Sequence, residues 1–290
     1  MVRQILKEAR PATLVVTLLS TTLGIAAAYR EGYIGSSILW DSWRIFLVII
    51  AGFLLQGGTN LINNFFEEEK DGNIEKTGDN FLSYTKKEEK VAAFKVGIVF
   101  FIITAVIGLY LSYYSGWQLL VIEIIGIFSA YAYAGEPFSY KKLGLGAVMS
   151  FLMMGPLMVY ASYFIFTSEF SITPILYSCA LGLFIPAILL ANELRDYEED
   201  KSRGVGTLTV RIGFKRGKIL YLSLICFAYI NTFLLTIVKI LPWYSVVILS
   251  TIPLLKEIRK HMYSNRRLLI PTTAKLYLIF GLQFLISLVI

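Results

Sequence analysis

The apolar residues of this chain fall in long runs of roughly 18 to 24 residues, the length a helix needs to cross the hydrocarbon of a bilayer, and the segments between them carry almost all of the charge. A soluble protein with a large core would scatter charge along the exposed faces of its helices. Here 56% of the residues are hydrophobic, only 16% are charged and the mean hydropathy is +0.66. The pattern predicts an all-α membrane protein of about nine transmembrane helices. They are expected at 11–29, 43–66, 91–113, 117–135, 144–166, 171–193, 217–238, 242–256 and 271–290. The first run lacks a small-residue cleavage site and reads as a retained helix, not a signal peptide.

Charge orients the bundle. With the N-terminus cytoplasmic, all of the 27 Lys and Arg residues except Arg30, Arg44 and Lys239 lie in inner connections or at inner helix ends, as the positive-inside rule requires. One missed helix would invert every later loop and spoil the asymmetry. The net charge of +7 thus belongs to topology and anionic lipid, with no nucleic acid implied. Cys179 and Cys226 both sit inside apolar runs, and His261 is the sole histidine, so neither a disulfide framework nor a His-rich metal site is expected. No soluble domain or linker interrupts residues 1–290, which read as a single domain, and no obligate protein partner is indicated.

Two inner segments carry the chemistry. The first, QGGTNLINNFFEEEKDGN at 56–73, contains Asn63, Glu67 and Asp71; the second, NELRDYEEDKSRG at 192–204, contains Asn192, Asp196 and Asp200. Each is an Asn followed by acids four and eight residues on. On a helix that spacing drifts by only about 80° and lines one face. Oxygen ladders of this kind suit a hard cation such as Mg²⁺, which takes one or two carboxylates plus substrate phosphate. Solvated acids at a helix end would explain one cluster; two at matched spacing on one side point to a diphosphate held between them. Lys141, Lys142, Arg195, Lys201, Arg203 and Arg211 lie nearby, and Arg10 lies where the first helix begins. Cations there would stabilise a departing diphosphate. A transporter with repeated halves is the competing class, although these acids lie at the membrane edge and not at its midplane. Glu123, an acid inside the fourth apolar run, is a functional candidate by its position, expected to face a cavity near an acceptor.

These motifs resemble the UbiA-type intramembrane prenyltransferases, and within them the menaquinone-pathway branch that prenylates 1,4-dihydroxy-2-naphthoate. The resemblance runs through ARP at Ala9–Pro11, Gln56, Thr59, Asn60 and Asn63, YAYAGEPFSYKKLGLG at 131–146, FLMMGPLMVYASYF at 151–164, and NELRDYEEDKSRG…TLTVRIG at 192–213. It implies a helix bundle around a central cavity, a cytoplasmic cap formed by the inner loops, and a multi-pass protein of a prokaryotic cytoplasmic membrane. It also implies Mg²⁺-dependent transfer of a polyprenyl group from its diphosphate to an aromatic acceptor, with 4-hydroxybenzoate, homogentisate, a haem vinyl group or a glycerol ether as alternative acceptors. Asn63, Glu67, Asp71, Asn192, Asp196 and Asp200 would hold the metal, and Lys141 would assist the diphosphate with Arg10 and Arg195. Asn60, Asn64, Lys142 and Lys201 would complete the substrate site, with Tyr131 and Tyr133 facing the allylic cation. The chain departs from the family pattern at Asn64 and Glu67, each in place of Asp, at Glu193 in place of Asn, and at Val205–Gly206, where two basic residues are usual.

Overall fold

The computed structural model describes residues 11–66 and 80–290, with side chains described for 13–66 and from 88 onward. The described residues form twelve α-helices: α1 (Pro11–Arg30), α2 (Ile38–Phe66), α3 (Asn80–Ser115), α4 (Trp117–Ala132), α5 (Gly146–Leu152), α6 (Met158–Thr167), α7 (Thr173–Gly182), α8 (Phe184–Ser202), α9 (Leu208–Ile212), α10 (Phe214–Ile237), α11 (Ile252–Ser264) and α12 (Leu269–Val289). A π-helical turn, Met153–Leu157, joins α5 to α6, and 3₁₀ segments at Trp243–Thr251 and Arg266–Leu268 precede α11 and α12. The nine expected crossings correspond to α1, α2, α3, α4, α5–α6, α7–α8, α10, the 3₁₀ segment with α11, and α12. Seven of these, all but α4 and the α11 unit, are long and apolar enough to span a bilayer, while the 16-residue α4 is a shorter apolar helix.

Several helices outrun their apolar stretch. The third was expected from residue 91 and starts at Asn80; the sixth was expected to end at 193 and continues to Ser202. Hydropathy marks where a helix leaves the lipid, not where its backbone ladder stops. The second motif is therefore helical from Asn192 to Ser202.

In lipid, helices associate by close packing of small residues. A Cβ placed on Gly24 of α1 would lie 2.2 Å from the Val159 carbonyl of α6, and one on Gly58 of α2 would lie 2.7 Å from the Phe101 ring and 3.0 Å from the Gly97 carbonyl of α3. Facing outward are large apolar side chains, among them Ile102, Val106, Ile124, Phe227 and Phe233. Trp43, Tyr113, Trp117 and Trp243, all exposed, gather where helices meet the short connections at one end, as an aromatic belt does at a membrane interface.

That end is tied together. Tyr33 N–H donates to the Ala28 carbonyl past Gly32, whose φ is +83°, so α1 closes in a Schellman turn. The Tyr163 hydroxyl donates to Glu31 at 2.5 Å, Tyr33 to Glu169 at 2.7 Å, and Ser115 to the Ile165 carbonyl at 2.9 Å. Asp41 is paired with Arg44. The other end, where α2 and α8 finish, holds Asn63 and the second motif.

Candidate active site

The last turn of α2 presents Asn60, Asn63 and Asn64. Asn60 and Asn63 are buried. The Asn60 amide donates to the Thr13 hydroxyl of α1 at 2.8 Å and its carbonyl accepts from Gln56 at 3.2 Å. Asn63 turns the other way: its Oδ1 accepts a hydrogen bond from Lys141 Nζ at 3.0 Å. Arg10, Glu67 and Asp71 lie outside the described residues.

Lys141 stands on the loop between α4 and α5, which folds back on itself. Tyr140 and Lys141 N–H groups donate to the Ala132 and Tyr133 carbonyls. The Tyr140 hydroxyl donates to the Ser129 carbonyl at 2.9 Å, and burial raises its pKa well above the ordinary tyrosine range, so it remains a protonated donor. The ammonium of Lys141 lies 5.8 Å from the centre of the Tyr133 ring, a cation–π contact that helps fix its direction. Tyr131 meets Phe66 of α2 edge to face at 6.5 Å and donates its hydroxyl to the Glu136 carbonyl at 3.0 Å. Lys142 points outward, 3.8 Å from Glu136.

α8 carries the second motif. Asn192, Asp196 and Asp200 fall on one helix face by their spacing. Arg195 grips Asp196 through both guanidinium contacts, Nε–Oδ1 at 2.7 Å and Nη2–Oδ2 at 2.6 Å, a bidentate geometry that fixes both planes. Lys201 sits over the Tyr197 ring at 6.0 Å. Arg195, Asp196, Glu198 and Glu199 face Ser264–Arg267 across a polar cavity of about 430 Å³, and Arg266 anchors that turn by donating to the Leu194 carbonyl at 3.0 Å.

Glu193, the residue that departs from the family's Asn, is buried and points away from this face. Its Oε2 accepts the Thr209 backbone N–H at 2.8 Å, satisfying one of the free donors in the first turn of α9. α9 in turn carries Arg211, which donates to the carbonyls of Gly206 at 2.8 Å and Lys142 at 3.0 Å. The ends of α2 and α8 are thereby joined through one loop: Asn63 to Lys141, then Lys142 to Arg211, then α9 to Glu193. Asn63 and the second motif stand at the same end of the bundle. Sequence spacing did not reveal the roles of Arg211, Arg266 and Glu193 in this scaffold, because each works through a backbone group that no side-chain pattern marks.

The donors at this end are oxygens and nitrogen cations. Among the described residues no three His, Cys, Asp or Glu side chains converge as a metal cluster; two of the expected acids are not among those residues.

Known proteins place this architecture. The chain is 29% identical over 290 residues to UbiA prenyltransferase domain-containing protein 1 of Xenopus tropicalis, covering 97% of this chain and 80% of that protein. It is 27% identical to the 1,4-dihydroxy-2-naphthoate octaprenyltransferase of Bacillus subtilis, covering 97% and 90%. Its fold matches that of a UbiA homolog from Archaeoglobus fulgidus, solved bound to GPP and Mg²⁺, with a TM-score of 0.65 at 15% identity over 97% of this chain and 99% of that one. The profile of the UbiA prenyltransferase family matches residues 17–279: the chain belongs to that family, as an integral, multi-pass membrane prenyltransferase.

Proposed function

We propose that the chain transfers a polyprenyl group from its allylic diphosphate to 1,4-dihydroxy-2-naphthoate, with the diphosphate held between the ends of α2 and α8 at the cytoplasmic face. The observation that carries this reading is the Lys141–Asn63 contact at 3.0 Å, which sets a cation beside the first motif on a loop that also reaches the second. The naphthoate acceptor is supported by the relative in Bacillus subtilis and by the motif resemblance.

The donor set fits Mg²⁺, since Asn63, Asn192, Asp196 and Asp200 offer hard oxygens; Glu67 and Asp71, outside the described residues, are the further carboxylates the motif supplies. When bound, the ion would neutralise diphosphate charge. The chain's own residues do the rest. Lys141 and Arg195 donate hydrogen bonds to diphosphate oxygens as the allylic C–O bond breaks and its electron pair leaves with the diphosphate. Arg195 also holds Asp196 at a fixed angle, so that one carboxylate is pre-positioned before substrate arrives. Tyr131 and Tyr133 face the allylic cation until an acceptor ring carbon bonds to it and the acceptor loses a proton or its carboxylate. The tail lies among the apolar helices, which is why the reaction is performed inside a membrane.

The test is turnover in detergent with a panel of prenyl diphosphates and acceptors, read by mass spectrometry. Diphosphate release that stops with EDTA and returns with Mg²⁺ is expected, with dihydroxynaphthoate the preferred acceptor. Metal-independent release, or preference for hydroxybenzoate, homogentisate or a glycerol ether, overturns the corresponding part.

A further inference from the structure

A second cavity, of about 130 Å³, lies among α1, α2, α3, α4 and the α5–α6 helix, away from the motif end. Its lining residue on α2 nearest Asn63 is Leu55, eight residues and about 12 Å further from the motif end. The wall is apolar except for Glu123 of α4 and the hydroxyl residues Thr21, Thr104 and Ser162. Both carboxyl oxygens of Glu123 are buried, with no hydrogen-bond partner among the described residues. The carboxyl sits in a notch that only glycine leaves open: a Cβ on Gly108 of α3 would fall 2.0 Å from Glu123 Oε1. An unpartnered carboxyl inside a membrane is costly, and at that distance it lies outside the diphosphate site described above.

Size and hydrogen-bonding capacity together define the occupant. An apolar cavity of roughly 150 Å³ accepts one benzene ring, so this one, of about 130 Å³, has room for one ring. The three hydroxyls have their only protons engaged, Thr21 donating to the Thr17 carbonyl, Thr104 to Phe100 and Ser162 to Met158, each at 2.9 Å, and retain only acceptor capacity. With the Glu123 oxygens added, acceptors outnumber donors. A hydrocarbon tail fits the shape and leaves the carboxyl orphaned. A ring bearing only carbonyls brings no donor to the Glu123 oxygens. A ring bearing a hydroxyl satisfies both the shape and the carboxyl.

We infer that this cavity is a binding site for a hydroxylated single aromatic ring, its O–H donated to Glu123 and its ring packed in the apolar wall. The site is separate from the diphosphate end and stands whether or not the proposed acceptor is correct.

The test uses the full chain in detergent, titrated with p-cresol and with toluene, which differ by one hydroxyl, and observed by saturation-transfer NMR against empty micelles. p-Cresol is expected to bind about tenfold more tightly than toluene, and Glu123→Leu to remove that preference while the ring still binds. If Glu123→Leu does not fold, Glu123→Gln keeps the shape and supplies N–H donors, so preference should move from p-cresol toward p-benzoquinone. Equal binding of p-cresol and toluene, a preference that survives Glu123→Leu or is unmoved in Glu123→Gln, or no saturable binding of either ring, as when water alone fills the space, overturns the inference.

Discussion

Lys141 and Asn63 are 78 positions apart and share a hydrogen bond of 3.0 Å between ammonium and side-chain carbonyl. Asn63 thus orients Lys141 before substrate binds. Replacing Lys141 by Ala should lower the rate of prenyl transfer by roughly two orders of magnitude, the scale of losing one preorganised donor to a developing anion. Lys141→Arg should recover part of it. Steady-state diphosphate release checks both.

Arg195 and Asp196 make opposing demands. The guanidinium neutralises the carboxylate that the proposed metal needs, yet supplies donors to the diphosphate. Arg195→Ala should therefore raise the KM for prenyl diphosphate roughly tenfold while lowering the Mg²⁺ concentration for half-maximal activity. Asp196→Ala should move the metal requirement upward instead. Mg²⁺ titrations of the two variants separate them, and movement in the same direction would refute the pairing.

Glu193 is a structural residue by its contacts, accepting the Thr209 N–H at 2.8 Å. Glu193→Ala should cost about 1–2 kcal/mol of stability, as loss of a helix-start acceptor does, and leave half-maximal Mg²⁺ unchanged. Thermal unfolding in detergent paired with a metal titration decides it.

Gly24 lets α1 and α6 touch through backbone. Gly24→Ala should destabilise by about 1–3 kcal/mol, the range for overpacking. Gly126→Ala, where an added Cβ meets nothing within 4 Å, should unfold within a degree or two of the parent. Paired melting curves give the comparison.

Much of this arrangement was legible in the sequence because a membrane forces it. Apolar runs mark the crossings, and the Lys and Arg asymmetry separates the two ends. The two Asn/acid ladders pointed to one end, and the structure brings Asn63 and the α8 motif there. Less visible was whatever depends on backbone. The start of α3 at Asn80, eleven residues before its apolar run, is a polar helix with no hydropathy signal. The break at Leu183 between α7 and α8 and the 3₁₀ form of Trp243–Thr251 are choices of ladder type that composition does not encode. Glu123 stood out as an acid in an apolar run, but its seat against Gly108 joins two helices whose facing residues no periodicity identifies.

The wide turn at Met153–Leu157 bears on how this wall could change. The Met158 N–H reaches back to the Met153 carbonyl, five residues away, so the helix carries one residue more than a regular ladder would. Met153, Leu157 and Met158 all border the Glu123 cavity. Removing Pro156 from this turn would restore a regular helix and keep α5 and α6 in phase, whereas removing a residue between the turn and Ser162 would rotate Ser162 and Tyr163 by about 100° and pull Tyr163 off Glu31. The lining of that chamber is thus the stretch of the fifth crossing whose length can drift while its two flanks stay docked.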